Sequence, residues 1–226
     1  MKSRSVLLLI LMIALAGGGI FSAPRSAEAH QPYCEFTDLT FETAWRIDDP
    51  SVSLAFYANL YPGDDVDYYR FHAEAGQELY LQMVIPQIEG QDPGYVALMA
   101  ISGPGLDGDG SDLPERVIVP ADMGTLVVPM VDEATEFYEP FGRQYYWNWQ
   151  DITFDAPETG MYTVAIWHPD EQIGRYTFVI GKREVIGGQV DCFMAMGDYF
   201  TPLVEGMSPY RDEVVEHDHD DEHDHD

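Results

Sequence analysis

The 226-residue chain carries 40 acidic but only 11 basic residues, which gives a formal net charge of −29 at pH 7. A surface this acidic repels nucleic acid and anionic membranes, so both are excluded as partners, and metal cations are favoured. The chain length predicts one globular domain. Hydrophobic residues make up 46% of the chain, enough to build a sizeable core.

The first 29 residues are predicted to be a secretory signal peptide. Two basic residues precede an apolar run that ends at Phe21, and residues 27–29, Ala-Glu-Ala, have the pattern of a cleavage site. The run is shorter than the about 20 residues of a membrane span, so we expect no span after cleavage. The alternative is an uncleaved N-terminal anchor. Cleavage would make His30 the mature N-terminus, take the net charge from −29 to −31, and place the protein in the periplasm, at the cell surface or outside the cell.

Short apolar or alternating segments between Gly- and Pro-rich turns predict β-strands. The candidates are 52–56, 67–72, 78–85, 96–101, 116–120, 125–131, 161–167 and 175–180. Their regular spacing predicts an all-β fold, an antiparallel jelly-roll-like β-sandwich. A short C-terminal helix is expected over 192–205, although Pro202 opposes its last turns.

The predicted organisation of the mature chain has four parts. An irregular lead-in over 30–50 precedes the sandwich at 51–185, and a C-terminal segment with the short helix occupies 186–211. The tail at 212–226 lacks apolar periodicity, and we expect it to be disordered. The two cysteines, Cys34 and Cys192, predict a disulfide between the N-terminus and the C-terminal segment in an oxidising compartment. A metal-binding role for the pair is the weaker alternative.

Two segments resemble the bacterial pre-peptidase C-terminal domain family. Residues 63–71, Gly-Asp-Asp-Val-Asp-Tyr-Tyr-Arg-Phe, followed by Ala-Gly-Gln at 75–77, are similar to its opening hairpin. Residues 158–166 and 174–180 are similar to its closing strands. The resemblance implies a jelly-roll-like sandwich that serves secreted enzymes as an accessory or substrate-binding module. The stretch from 86 to 155 is longer than a compact member needs, and no protease domain is attached.

Histidines are the first candidate metal ligands. Imidazole nitrogen suits zinc and copper, and short His-rich tracts are typical of metal binding. The alternative for the tail is a solvated acidic segment. Four histidines are interleaved with carboxylates there, at His217, His219, His223 and His225.

His30 offers a second kind of metal site if it is the mature terminus. Its α-amine and imidazole could chelate Cu(II), with one further histidine completing a nitrogen-rich, tetragonal set. This resembles the histidine brace of periplasmic copper proteins and copper-dependent polysaccharide monooxygenases. His168, which continues the inward face of its strand to the sandwich rim, is the preferred partner, and His72 is the second choice. The alternative for either partner is a histidine hydrogen-bonded to a loop.

Two further features predict ligand sites. Asp107, Asp109 and Asp112 lie in a Gly- and Asp-rich loop that offers oxygen ligands for calcium, although the bidentate Glu of an EF-hand is absent. Turn aspartates such as Asp65 and Asp67 are expected to bond backbone amides. An aromatic cluster could form a sugar-binding platform, the alternative being core packing. Its members are Tyr145, Tyr146, Trp147 and Trp149.

No catalytic motif is recognisable. Residues 102–105, Ser-Gly-Pro-Gly, lack the order of a nucleophile elbow, and there is no metalloprotease, P-loop or dinucleotide signature. We therefore expect a binding protein rather than an enzyme, and redox catalysis at a copper brace is the alternative. The first hypothesis is capture or buffering of copper or zinc outside the cytoplasm, with a metal transporter as partner. The second is a non-catalytic accessory or carbohydrate-binding module that meets a cell-surface polymer.

Overall fold

A computed structural model describes residues 30–140 and 142–210. Over these ranges the protein is a β-sandwich with one short helix, as the sequence predicts. The strands are β1 (Gln31–Cys34), β2 (Trp45–Ile47), β3 (Leu54–Leu60), β4 (Val66–Ala73), β5 (Glu78–Pro86), β6 (Leu98–Gly103), β7 (Gly124–Val127), β8 (Thr135–Glu139), β9 (Gln144–Asp155), β10 (Gly160–Trp167) and β11 (Gly174–Ile180).

The strands form two sheets that pack face to face. The first has the order β1-β3-β11-β5-β9-β8 and the second has the order β2-β4-β10-β6-β7. Alternate residues of each strand point inward, so that Phe56 of β3 and Phe178 of β11 meet Tyr69 of β4 in the core. Burial of these rings provides the main driving force for folding.

The lead-in is not irregular, which corrects the expectation for residues 30–50. β1 pairs in parallel with β3, and β2 pairs in parallel with β4, so each sheet gains one parallel edge strand. The remaining strand pairs within the described ranges are antiparallel, and an isolated parallel bridge joins Val52 to Arg183. Short parallel edge strands carry no hairpin signal, because their partners lie far along the chain.

Two other strand predictions were wrong. Residues 116–120 form a loop, since Pro114 and Pro120 flank them and the Val117 amide donates to the Pro114 carbonyl in a turn. The stretch from 125 to 131 is strand only as far as Val127. The aromatic-rich region instead supplies β8 and the twelve-residue β9.

The helix α1 (Val190–Tyr199) is shorter than the predicted 192–205. It ends ahead of Pro202, because the residues before a proline avoid helical geometry. The Cys34–Cys192 disulfide joins α1 to β1 and confirms the predicted pairing. A buried structural disulfide indicates an oxidising, extracytoplasmic compartment. Within the described ranges, no helix is long and apolar enough to cross a membrane.

Candidate metal centre

Three carboxylates from two separate parts of the chain meet inside the sandwich. Glu35 directly follows β1, Asp38 lies in the loop after it, and Asp67 lies in β4. One oxygen from each carboxylate lies within 4.8 Å of the other two. Among the described residues, this is the one group of three or more potential metal ligands at such distances.

Glu35 is oriented by the backbone and side chain of one neighbour. Its Oε2 accepts a hydrogen bond from the Asn59 amide at 2.7 Å and another from Asn59 Nδ2 at 3.0 Å. Asn59 Oδ1 in turn accepts from Arg175 Nη1 at 2.5 Å. The Arg175 guanidinium therefore contacts Asn59, and Asn59 in turn contacts the Glu35 carboxylate. Glu35 Oε1 is buried and has no hydrogen-bond partner within the described part of the chain.

Asp67 repeats this arrangement on the opposite sheet. It points inward together with Tyr69 and Phe71, and it is 0% exposed. Its Oδ2 accepts from the Tyr176 hydroxyl at 2.6 Å, while its Oδ1 has no partner among the residues described. Asp38 Oδ1 is also buried and unpartnered over the same ranges. Each of the three residues thus brings to the group one buried oxygen that has no donor from outside it, and Glu35 and Asp67 hydrogen-bond to each other when one of them is protonated.

The group is electrostatically unfavourable without a cation. Burial, together with the charges of Asp65 and Asp38, raises the pKa of Glu35 to about 8, although hydrogen bonds with Asn59 and Asp67 oppose this rise. Burial and the charge of Glu35 raise the pKa of Asp67 well above its usual range. Burial also raises the pKa of Asp38. A buried charge is costly unless it is paired, protonated or bound to a metal.

A fourth carboxylate extends the group toward the C-terminal segment. Asp65 lies just before β4, and burial together with the charge of Asp38 raises its pKa to about 7. Its Oδ2 accepts from the Tyr61 amide at 3.1 Å. The Tyr210 hydroxyl lies 3.3 Å from the same oxygen and 3.2 Å from the Tyr61 carbonyl. The last described residue of the chain therefore packs beside the carboxylate group.

Oxygen-only donor sets select hard cations. Ca²⁺ takes six to eight oxygens from carboxylates, carbonyls and water, whereas zinc and copper prefer nitrogen or sulfur. Glu35, Asp38 and Asp67 could hold Ca²⁺ through one carboxylate oxygen each, and further ligands would have to come from other oxygens. The transition metals expected from the histidines have no nitrogen ligand here.

Sequence reasoning missed this centre. Asp65 and Asp67 were expected to cap turns, and nothing singled out Glu35 or Asp38. The sequence did contain one indication of this centre. Asp67 and Tyr69 are two positions apart in the same strand, so both point inward, and the inner face of that strand is otherwise apolar. A carboxylate on a core-facing position requires a partner.

His30 lies away from this centre, on the outer face of the six-stranded sheet. Its Nδ1 is 2.5 Å from the Ser53 hydroxyl, beside the start of β3. An amine–Nδ1 chelate would have to displace this hydrogen bond. The predicted α-amine depends on cleavage after Ala29, which lies outside the described residues.

The structure does not bring the two predicted partner histidines to His30. His168 stacks on Tyr95, which packs against Gly174 opposite Leu60, at the far end of the seven-residue β3. That strand separates the two histidines by roughly 20 Å. His72 is exposed on the outer face of the other sheet.

His168 instead caps a loop. Its Nδ1 accepts from the amides of Asp170 at 3.1 Å and Gln172 at 3.2 Å. Burial lowers its pKa, which keeps the ring neutral and able to accept. The loop-bonded alternative therefore describes His168. His217, His219, His223 and His225 lie outside the described residues.

The predicted calcium loop forms a shallow surface depression. Asp109 Oδ1 accepts from the Ser111 amide at 2.9 Å, an ordinary turn contact. This backbone hydrogen bond lowers the pKa of Asp109. Asp107 and Asp112 are exposed in the same loop, and the three do not form a close ligand group.

The four aromatic residues do not share one platform. Trp147 and Trp149 pack against the core, while Tyr146 is buried against Phe137. Tyr145 is half exposed and contacts Tyr138 on the other side of the β8–β9 hairpin. Alternation along β9 places neighbouring rings on opposite faces.

Comparisons with known proteins give weak structural likenesses. No protein-family model matches the chain, and no curated protein matches it. The pre-peptidase C-terminal domain of a Bacillus anthracis collagenase is 14% identical, with a TM-score of 0.34, over 60% of this chain and 91% of that one.

Two further solved structures show comparable likenesses. The Salmonella Typhimurium periplasmic lysozyme inhibitor PliG is 16% identical, with a TM-score of 0.35, over 62% of this chain and 98% of that one. The secreted copper-binding protein MopE of Methylococcus capsulatus is 13% identical, with a TM-score of 0.26, over 52% of this chain and 70% of that one. All three TM-scores are below 0.5, so the function of this chain has to be inferred from its own residues.

Proposed function

We propose that this is an extracytoplasmic metal-binding protein whose ordered site takes a hard divalent cation, Ca²⁺ above all. The observation that supports it is the set of three unpartnered, buried carboxylate oxygens on Glu35, Asp38 and Asp67. Separate segments of the chain supply these ligands, so a bound ion would tie the N-terminal segment to β4. The protein would act by binding rather than by catalysis.

A shared proton is the competing explanation for the same geometry. One proton between Glu35 and Asp67 would satisfy two oxygens, but it would leave Asp38 Oδ1 without a partner. A divalent cation satisfies all three oxygens and neutralises more charge. The strongly acidic chain, at −29, also concentrates cations near its surface.

Calorimetry on the protein freed of metal with EDTA tests the proposal. Titration with Ca²⁺ should give one site per chain, and Zn²⁺ should not compete for it at equal concentration. The variant Asp67→Asn keeps the size of the side chain and its bond from Tyr176, but it removes one ligand charge. We expect it to weaken Ca²⁺ binding more than tenfold.

The matched control is Asp109→Asn in the surface loop, which should leave the affinity unchanged. Wild-type protein that binds no Ca²⁺ at millimolar concentration would overturn the proposal. Equal losses of Ca²⁺ affinity in Asp67→Asn and Asp109→Asn would also overturn it, because binding would then depend on overall charge rather than on the buried carboxylates.

A finer proposal concerns copper or zinc at His30. It is supported by the half-buried position of this residue, whose imidazole is anchored on Ser53 at the edge of an open cleft. The tail histidines would supply further ligands, and a metal transporter would receive the ion. Protein that begins at His30 should retain Cu²⁺ better than protein with one added N-terminal residue, and equal retention would exclude the α-amine as a ligand.

A further inference from the structure

The outer face of the six-stranded sheet is only partly covered. The disulfide holds α1 against β1, and Tyr199 of the helix packs on Tyr57 and hydrogen-bonds with Thr177. Beyond the helix, the same face opens into a cleft of about 520 Å³. This volume lies within the range of pockets that hold small molecules.

The cleft combines an apolar floor with polar and aromatic walls. Ala55, Val84 and Val179 form the floor. Hydroxyl, amide and ring groups surround it, and they are contributed by Ser53, Tyr80, Gln82, Thr135, Phe137 and Asn148. Flat rings next to planar amides and hydroxyls are the donors and surfaces that recognise sugar hydroxyls and the apolar faces of pyranose rings.

The Phe137 ring is positioned by its contact with Tyr146. Phe137 lies nearly parallel to Tyr146, with ring centroids 5.5 Å apart and planes 16° apart. Tyr146 is 1% exposed, whereas Phe137 is 37% exposed. Tyr146 therefore holds one face of Phe137, and the Phe137 side chain lines the cleft, so little conformational entropy is lost when a ligand contacts it.

A side-chain amide elsewhere in the lining of the cleft is available for a ligand. Gln82 lies on β5, is half buried, and has no side-chain hydrogen bond with any described residue. An unengaged amide offers two donors and one acceptor, which matches a pair of neighbouring hydroxyls on a sugar. Neighbouring Asn148 donates Nδ2 to Asp151 Oδ2 at 3.0 Å, and this fixes its orientation.

The backbone of the floor is not available to a ligand. β3, β11, β5 and β9 are paired on both sides, so their amides and carbonyls are already used in the sheet. Extended peptides gain most of their affinity from backbone pairing with a free strand edge. A ligand on the floor of this cleft must be recognised by side chains, which favours a saccharide over an extended peptide.

Charge narrows the ligand class further. The charged residues that line the cleft are Glu139, Glu184 and Lys182, and Lys182 Nζ is engaged by Glu78 Oε1 at 3.3 Å. The chain as a whole is strongly acidic. Uronate-rich and phosphate-bearing polymers would be repelled. We propose that the cleft beside Phe137 and Gln82 binds a neutral oligosaccharide segment, stacked on Phe137 and hydrogen-bonded by Gln82.

Titration calorimetry with cellohexaose, mannohexaose and chitohexaose tests this proposal. The titration is run once with Ca²⁺ and once with EDTA. Sugar binding can then be measured whether or not the proposed ion site binds Ca²⁺. At least one hexasaccharide should bind wild-type protein. Phe137→Ala should weaken that binding tenfold or more, and so should Gln82→Leu, which keeps the side-chain volume and removes the amide.

Tyr138→Ala is the matched control. Tyr138 is 47% exposed on the same strand but lies on its other side, against Tyr145. Its removal should leave the affinity unchanged, with melting curves confirming that every variant is folded. Three outcomes would each overturn the proposal: no hexasaccharide binds, Tyr138→Ala weakens binding as much as Phe137→Ala, or a ten-residue β-forming peptide binds along the β8 edge while no sugar does.

Discussion

Two acidic groups of similar composition behave in opposite ways in this protein. Asp107, Asp109 and Asp112 are close in sequence and exposed, and a backbone hydrogen bond from Ser111 lowers the pKa of Asp109. Glu35 and Asp67 are 32 positions apart, buried, and paired through oxygens that lack donors. Burial raises the pKa of both.

The difference shows that the environment, rather than the number of carboxylates, makes a metal site. Solvent and backbone amides already satisfy the loop aspartates, so an ion gains little there. Each buried carboxylate has lost water and keeps one oxygen without a donor. A cation there removes an existing penalty, and for this reason we place the ordered site inside the sandwich.

The largest expected effect separates the two groups directly. Glu35→Gln combined with Asp67→Asn should reduce Ca²⁺ affinity by about a hundredfold, since two of the three ligand charges are lost. Asp107→Asn combined with Asp112→Asn should change it less than twofold. Terbium luminescence sensitised by nearby tyrosines, with Ca²⁺ as competitor, measures both. Equal changes in Ca²⁺ affinity for the two double variants would show that the buried carboxylates are no better a Ca²⁺ site than the loop aspartates.

The pH dependence of ion binding should also distinguish the two groups. Because the pKa of Glu35 is raised to about 8, the ion must displace a proton below that pH. Ca²⁺ affinity should therefore increase about tenfold per pH unit from pH 6 to 8. A site in the surface loop would show a flat profile over this range, because binding there would not displace the Glu35 proton, and a backbone hydrogen bond lowers the pKa of Asp109.

The burial of Glu35 should also make the stability of the metal-free protein depend on pH. The folded protein in EDTA binds more protons than the unfolded chain between the ordinary Glu pKa of 4.5 and about 8, so its stability should decrease as pH rises through that window. Glu35→Gln removes this penalty and supplies an amide donor toward Asp67. At pH 8 in EDTA we expect the variant to melt roughly 2–4 °C higher for each kcal/mol regained.

Exposed Glu89 provides the control for this measurement. Glu89→Gln should leave the melting temperature in EDTA unchanged at both pH 5 and pH 8. Addition of Ca²⁺ should then raise the melting temperature of wild-type protein and of Glu89→Gln, but not that of Glu35→Gln. A Glu35→Gln variant that melts at a lower temperature than wild type in EDTA would show that the buried Glu35 carboxylate does not destabilise the ion-free protein.

The smallest effect is expected at Tyr210. Tyr210→Phe removes one hydroxyl, which can donate either to Asp65 Oδ2 or to the Tyr61 carbonyl. We expect a loss of about 1 kcal/mol in unfolding free energy and a change of less than fivefold in Ca²⁺ affinity. Tyr145→Phe, at a half-exposed ring elsewhere, serves as the control. Chemical denaturation and calorimetry measure the two quantities.

Local patterning predicted the antiparallel centre of the fold well. The predicted segments 161–167 and 175–180 match β10 and β11 within one residue, because alternation and flanking turns are local signals. The parallel edge strands were missed, since their pairing depends on distant partners. β9 was missed because consecutive aromatics obscure the alternation that places Tyr146 and Trp147 on opposite faces.

The candidate sites show the same limit. Histidine and aspartate content predicted metal binding, but the residues chosen were those conspicuous in the sequence. His30 and His168 are separated by the length of β3, and the four aromatic residues lie on two faces. Signal-peptide cleavage and metal binding by the tail, outside the described ranges, stay predictions.

The sequence by itself determined the acidic character, the all-β class and the Cys34–Cys192 pairing, because composition, strand periodicity and a lone cysteine pair are local or countable properties. Only the tertiary structure decided which carboxylates lose water together and which rings face a common cleft. Both depend on the register and stacking of strands that are distant in sequence. Burial then turns ordinary Glu35 and Asp67 side chains into a group that favours a cation.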